Sequence, residues 1–209
     1  MAYSIQVLDS DSVKINQLND CYKLTQEESI FFDFEIFTDA QEKFSHLCLT
    51  YDDKKLLSFL FCSFDRIGGT PSIILGFSAT KTLPNSEEII QAFLDTLTSK
   101  AKISFPDEDI LITARVIDAS AYSLLNNYRE AFPQAKMKLS GEDKARGKRI
   151  SKWYSMENTY TEEKSIVTAS EPQPVTFGSS FSAESSDAKK IIENIKTNKD
   201  CLIVYSWVF

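Results

Sequence analysis

The residues best placed to do chemistry in this 209-residue chain lie in one stretch, Thr80 to Glu88. It holds Lys81, Pro84, the capping pair Asn85 and Ser86, and then Glu87 and Glu88. An apolar run of strand length, Ser72 to Ser78, precedes it. A helix to about Lys102 follows, with Ile89, Ile90, Phe93, Leu94, Leu97 and Ala101 at helical spacing. A second apolar run, Asp109 to Arg115, completes a β-α-β unit with both strands covered. A helix N-terminus at the end of a central strand attracts anions, because its first amides lack partners and the dipole points there. Glu87 and Glu88 oppose such binding. At roughly 6 Å each costs about 0.7 kcal/mol in water and about 3 kcal/mol at a surface-like dielectric, against about 0.3–1 kcal/mol from the dipole. Lys81 is the neighbouring cation that offsets them.

Other chemistries find little support. His46 is the single histidine. A zinc site built from His46 and Cys48 needs both on one strand face plus distant partners, so a core or surface role is expected for each. A hydrolytic triad would have to use His46, and no nucleophile-elbow motif is present. The four cysteines, Cys21, Cys48, Cys62 and Cys201, show no C-x-x-C spacing, and mostly apolar neighbours make them buried, reduced thiols. The net charge is -7, from 23 basic and 30 acidic residues, which argues against a general nucleic-acid binder. With 43% hydrophobic residues the chain is globular and needs no metal or disulfide to fold. No secretory signal and no membrane-length apolar run is visible, and the expectation is a cytoplasmic protein without a membrane partner.

These residues must be positioned by the elements around them. Ser4 to Leu8 reads as a first strand, and Ser12 onward as a helix with Ile15, Leu18 and Tyr22 on one face. A second helix is predicted over about Thr25 to Phe37, with Thr25 and Glu28 at capping-box spacing and Ile30, Phe31, Phe34 and Phe37 on one side. Phe44 to Tyr51 and Leu56 to Phe64 form a hairpin across Asp52-Asp53-Lys54-Lys55. A Gly68-Gly69 turn leads into the central strand. After the β-α-β unit, a helix from Asp118 or Ser120 is expected to carry Tyr122, Leu124, Leu125, Tyr128 and Phe132 and to end before Pro133. Ser140 to Arg149 reads as a charged, solvated turn, and Ile150 to Met156 as a strand. Glu157 to Ser185, rich in Ser, Thr, Glu and Pro, reads as a loop or insertion. A short helix over Ser186 to Thr197 and a last strand, Cys201 to Trp207, complete the chain.

That order, with the block Ala114 to Leu125, resembles the fifth strand, its helix and the surrounding elements of the GNAT N-acetyltransferase superfamily. The resemblance covers most of residues 4–156. It implies an α+β fold, with a mixed, mostly antiparallel central sheet flanked by helices. It also implies acetyl-CoA held where the fourth and fifth strands splay apart, and an amine acceptor that is a small molecule or a protein. On that layout Phe77, Ser78 and Ala79 would hold the pantetheine arm, and Lys81, Asn85 and Ser86 the diphosphate. Tyr128, with Tyr122 as the other choice, would protonate the leaving thiolate, and Glu35 or Asp33 would serve as base. The sequence departs from the family at the phosphate loop, where glycine allows close backbone approach: no glycine stands between Phe77 and Ser140.

Two functions therefore stand side by side. One is an acyl-CoA-dependent N-acyltransferase acting by direct attack of an amine on the thioester. The other is a GNAT-like scaffold without catalysis, used for interaction or regulation. The domain reading is a core over 1–156, a polar insertion over 157–185, and a helix and strand over 186–209 that complete the sheet.

Overall fold

The structure is a computed structural model that describes residues 4–126, 128–176 and 186–208, without the side chains of Asn126, Arg129, Glu130 and Ser186. Residues 177–185, the last part of the expected polar insertion, lie outside the described residues. The strands are β1 (Ser4–Asp9), β2 (His46–Asp52), β3 (Lys55–Ile67), β4 (Thr70–Thr80), β5 (Ile110–Val116), β6 (Arg129–Phe132), β7 (Ile166–Thr168) and β8 (Asp200–Val208). The helices are α1 (Ile15–Glu27), α2 (Glu35–Lys43), α3 (Ser86–Ser104), α4 (Ala119–Asn126), α5 (Gly141–Trp153) and α6 (Ser186–Ile192). The strands form one mixed sheet in the order β1-β2-β3-β4-β5-β8-β6, with β7 also on β8. Among the described residues only the β4–β5 pair is parallel; the rest are antiparallel. The fold is thus α+β, with the expected mixed, mostly antiparallel sheet flanked by helices.

Each face of the sheet buries its own core. One is built on α3, α4 and α6, with Ile90, Phe93, Leu94 and Leu97 against Leu75, Ile112 and Val204. The other lies under α1, α2 and α5, where Phe37, Phe59 and Phe77 pack ring against ring at 5.2–5.7 Å between centroids. Strand alternation sorts neighbouring residues between the two: Leu60 and Cys62 face one core, Phe59 and Phe61 the other.

Five expectations fail for identifiable reasons. The helix predicted over Thr25 to Phe37 is not there: Thr25 is inside α1, its hydroxyl bonded to Tyr22 O at 2.8 Å, and Ser29 at φ 59° breaks the chain before α2 starts at Glu35. Ile15, expected on the inner face of α1, is exposed. The helix after β5 stops at Asn126, and Phe132 belongs to β6, its ring stacked on Tyr205. The charged segment from Ser140 is helix rather than turn, and its last turn takes Ile150 to Trp153, the first residues of the expected strand. Ser140 and Asp143 form the capping box that starts α5, with Asp143 N–H bonded to Ser140 Oγ and Ser140 N–H to Asp143 Oδ2.

β4 carries the feature on which the site depends. Leu60 pairs with Ser78 but Cys62 with Leu75, so Phe61 alone faces two residues, Gly76 and Phe77. This is a β-bulge, which bends the strand that carries it. Gly76 is required there, because a Cβ would lie 2.4 Å from the Phe44 ring, itself buried against Phe61 and Trp153. Gly76→Val should destabilise the protein by about 1–3 kcal/mol through this overpacking, read as a lower urea midpoint at unchanged slope. A midpoint equal to that of the parent would contradict the packing described.

Asp143 gives a pH prediction. Burial works to raise its pKa, but the hydrogen bonds from Ser140 and Tyr205, with Arg146 nearby, hold it below the ordinary carboxylate value. A depressed folded pKa stabilises above the unfolded pKa and is lost as pH falls through the folded one. Asp143→Asn should therefore cost about 1–3 kcal/mol at neutral pH, and its deficit against the parent should shrink below about pH 4. A deficit independent of pH would show that the charge is not what matters.

Candidate functional site

After Ile74↔Thr113 the parallel ladder ends: β4 and β5 pair over only three residues each, Ser72–Ile74 with Leu111–Thr113. Beyond that point the bulge carries β4 away, and a gap opens between Leu75–Thr80 on one side and Ala114–Val116 on the other. The gap is filled by the chain itself. Ser78 N–H donates to Val175 O at 3.3 Å, and Thr176 N–H donates to Arg115 O at 3.0 Å. Residues 175 and 176 thus bridge the parted strands through the main chain. The Thr176 hydroxyl donates to Gly76 O at 2.9 Å, and the fully buried Tyr154 hydroxyl donates to Leu75 O at 2.7 Å. Arg115 closes the arrangement, its guanidinium donating to Pro174 O at 3.0 Å. Val175 and Thr176 are buried.

The residues expected at the site fall in three places. Phe77, Ser78 and Ala79 do border the gap; the Phe77 ring is part of the aromatic core, and Ala79 O accepts from Ser58 at 3.1 Å. Lys81, Asn85 and Ser86 gather in the turn before α3. Lys81 Nζ is paired with Glu27 at 2.8 Å, the contact that most raises its pKa. Glu28 accepts from the Thr82 N–H at 3.0 Å and from its hydroxyl, so a carboxylate already sits on this loop. The buried Ser86 hydroxyl is bonded to Leu83 N–H and Lys81 O, and Asn85 takes the N-cap position of α3. Glu87 and Glu88 stand exposed in the first turn.

The proposed catalytic pair is not brought together. Tyr128 packs against the core under α3, with its hydroxyl facing Thr98 and Gln91 and burial raising its pKa. The Tyr122 hydroxyl donates to Pro133 O at 2.7 Å, and burial, with Asp187, pushes its pKa up to about 12. Glu35 begins α2 on the other side of the sheet, exposed to solvent. Asp33 borders a cavity of about 460 Å³ with Tyr22, Phe31, Phe32 and Glu171. His46 bonds Ser45 and approaches Asp9 at 3.4 Å. No metal-ligating group of three or more His, Cys, Asp or Glu occurs among the described residues. The four cysteines are buried and free.

Sequence reasoning missed the segment from Gln173 to Thr176 and Tyr154. Both act on main-chain atoms, which leave no residue pattern to read; the one usable signal was the Ser140/Asp143 capping box that starts the helix capped by Tyr154.

No protein-family model matches the chain, and no curated protein matches it in sequence. Among solved structures the chain is similar to an N-acetyltransferase from Staphylococcus aureus Mu50, with a TM-score of 0.46, 12% identity, and coverage of 67% of this chain and 90% of that one. It is similar to the ribosomal-protein-S18-alanine N-acetyltransferase of Escherichia coli, at 0.45 and 12%, covering 66% and 86%. It is also similar to an aminoglycoside 6'-acetyltransferase type Ii, at 0.45 and 17%, covering 63% and 88%. These likenesses concern the fold alone. Among the described residues, no helix is long and apolar enough to cross a membrane.

The filled gap makes a prediction of its own. Thr176→Val keeps the shape but removes the donor to Gly76 O, and should cost about 1–3 kcal/mol. It should also speed amide exchange at Ser78 and Thr176 more than at α3. Unchanged exchange at both amides would mean that residues 174–176 do not hold the gap.

Proposed function

We propose that this chain is a GNAT-like scaffold that works without acyl-CoA, as an interaction or regulatory module. The observation behind this reading is that Val175 and Thr176 use the backbone groups of β4 and β5 that a pantetheine arm would need. The phosphate end fits no better. Its loop amide at Thr82 is taken by Glu28, Lys81 by Glu27, and Ser86 by the turn itself, with Glu87 and Glu88 beside them. A diphosphate placed there meets three or four carboxylates at once, each unfavourable by the estimate given above. The residues present therefore do not fit the cofactor in this conformation.

The acyltransferase reading keeps one specific support: the parting of β4 and β5 itself, which a scaffold does not need. On that reading residues 174–176 must leave before any amine acceptor, small molecule or protein, is acetylated, and Tyr128 and Glu35 must be replaced by groups that share a face of the sheet.

Calorimetric titration of the full chain with acetyl-CoA separates the two. The expected result is no saturable heat at millimolar ligand. Micromolar binding by the native protein would overturn the scaffold reading. Binding gained only by the triple variant Pro174→Gly, Val175→Gly, Thr176→Gly would favour a transferase whose slot is closed by its own chain.

A further inference from the structure

A second feature lies beside the filled gap and can be tested with acyl-CoA absent. Arg115, the penultimate residue of β5, turns its side chain into the protein and is only 5% exposed. Its guanidinium stacks over the Tyr154 ring at 4.8 Å. Its hydrogen bonds go to Pro174 O at 3.0 Å and the Met156 sulfur at 3.4 Å. A guanidinium has five N–H donors and keeps its charge at any working pH. Among the described residues, two neutral acceptors, one of them a weak thioether, leave most of that capacity unused and supply no counter-charge. No carboxylate pairs with Arg115 among the described residues, although the chain as a whole carries -7.

Lys43, at the end of α2, brings a second cation to the same ring. Its stem runs along the surface, but its ammonium turns to Tyr154 O at 3.0 Å and stands 5.8 Å from the ring centroid. It too has no carboxylate partner among the described residues. Desolvation, and then the charge of Arg115, push its pKa down to about 8, the response of an ammonium held near another cation without a counter-charge. Two cations are therefore held together by packing against their mutual repulsion.

Both face a cavity of about 420 Å³. Ser155, Asn158, Thr159 and Gln173 add hydroxyl and amide groups to its wall, and none of the described residues that line it is acidic. Asp39 lines a smaller neighbouring cavity that also touches Lys43 and Arg115, but it pairs with neither. Buried charge is strongly unfavourable when unpaired, and a guanidinium in a fixed orientation matches planar or tetrahedral oxyanions.

We infer that this cavity binds the phosphate or carboxylate group of a small molecule, with Arg115 and Lys43 as the charge partners and the Ser155, Asn158, Thr159 and Gln173 side chains as further donors. The volume exceeds that of a bare oxyanion, so the group belongs to a larger ligand whose body is polar. The site is separate from the turn before α3, where acidic side chains are already in place.

The test uses the full chain with inorganic phosphate and, separately, succinate, each against chloride at equal ionic strength. Thermal unfolding is followed, with phosphorus NMR titration for the first. A saturable rise in Tm with either anion is expected; a response to phosphate alone assigns a phosphoryl group, and to succinate alone a carboxylate. Lys43→Gln should weaken the apparent affinity roughly tenfold, the factor that a single charge-assisted contact supplies. Arg115→Gln should abolish it. Should that buried variant not fold, the exposed Lys43→Gln still decides the matter. Asp39→Asn should bind at least as well as the parent. The inference is overturned if neither anion gives a saturable shift, or if Lys43→Gln responds as the parent does. Acetyl-CoA plays no part in this measurement, so its outcome and that of the titration above are independent.

Discussion

A sheet whose central strands part company exposes main-chain groups that water does not reach, and everything near the centre of this protein answers that constraint. Each buried N–H or C=O left without a partner costs about 1–3 kcal/mol. Where β4 bends away at Gly76–Phe77, Leu75 O, Gly76 O, Ser78 N and Arg115 O all need partners. They find them in Tyr154, Thr176 and Val175. A ligand with amide and carbonyl groups along a thin chain can satisfy the same atoms, and a short extended peptide is chemically that kind of ligand. In this protein the peptide belongs to the chain, so its effective concentration is high and a free ligand must compete with it.

The long excursion between β6 and β8 is shaped by this need. α5 crosses under the sheet, anchored by Asp143 to Tyr205 of β8 and delivering Tyr154 to the gap. β7 then pairs with the first residues of β8, Ile166 opposite Leu202, while β6 pairs with its other end. From Thr168 the chain is led back past Arg115 and into the gap at Pro174. Without α5 and β7 as fixed points, residues 173–176 would have no defined path, and ordering them would cost more entropy than their few hydrogen bonds return.

The elements that bury apolar side chains were legible and the rest were not. β3, β4, α3 and β5 announce themselves because each hides a continuous or helically spaced set of large residues. α5 hides little beyond Ile150, and its close approach to the fold runs through Gly147, where a Cβ would meet the Tyr160 hydroxyl. A helix docked by a glycine and a buried carboxylate has almost no hydrophobic pattern. The aromatic run from Ile30 to Phe37 misled in the opposite direction: its spacing is helical and the Phe34 and Phe37 rings are packed, but Ser29 breaks the chain first and Phe31 is left exposed. The site followed the same rule. Residues bordering the gap on β4 could be named, because strand order located them. The segment that fills the gap could not, because its role rests on main-chain atoms of Pro174, Val175 and Thr176.

Arg115 ties the two halves of the site into one thermodynamic unit. Its carbonyl accepts from Thr176, and its guanidinium holds Pro174 while facing the cavity beside Tyr154. The rotamer that points the guanidinium into the cavity is the one that holds residue 174, so the anion inferred to bind there would favour the filled gap. By linkage the converse holds with equal free energy: a state with residues 174–176 withdrawn binds the anion less well. The size of that coupling is bounded by the contacts that change, here the hydrogen bond to Pro174 O and the ordering of Gln173. A coupling of about 1–3 kcal/mol is what contacts of this kind carry, which makes occupancy of one site legible at the other.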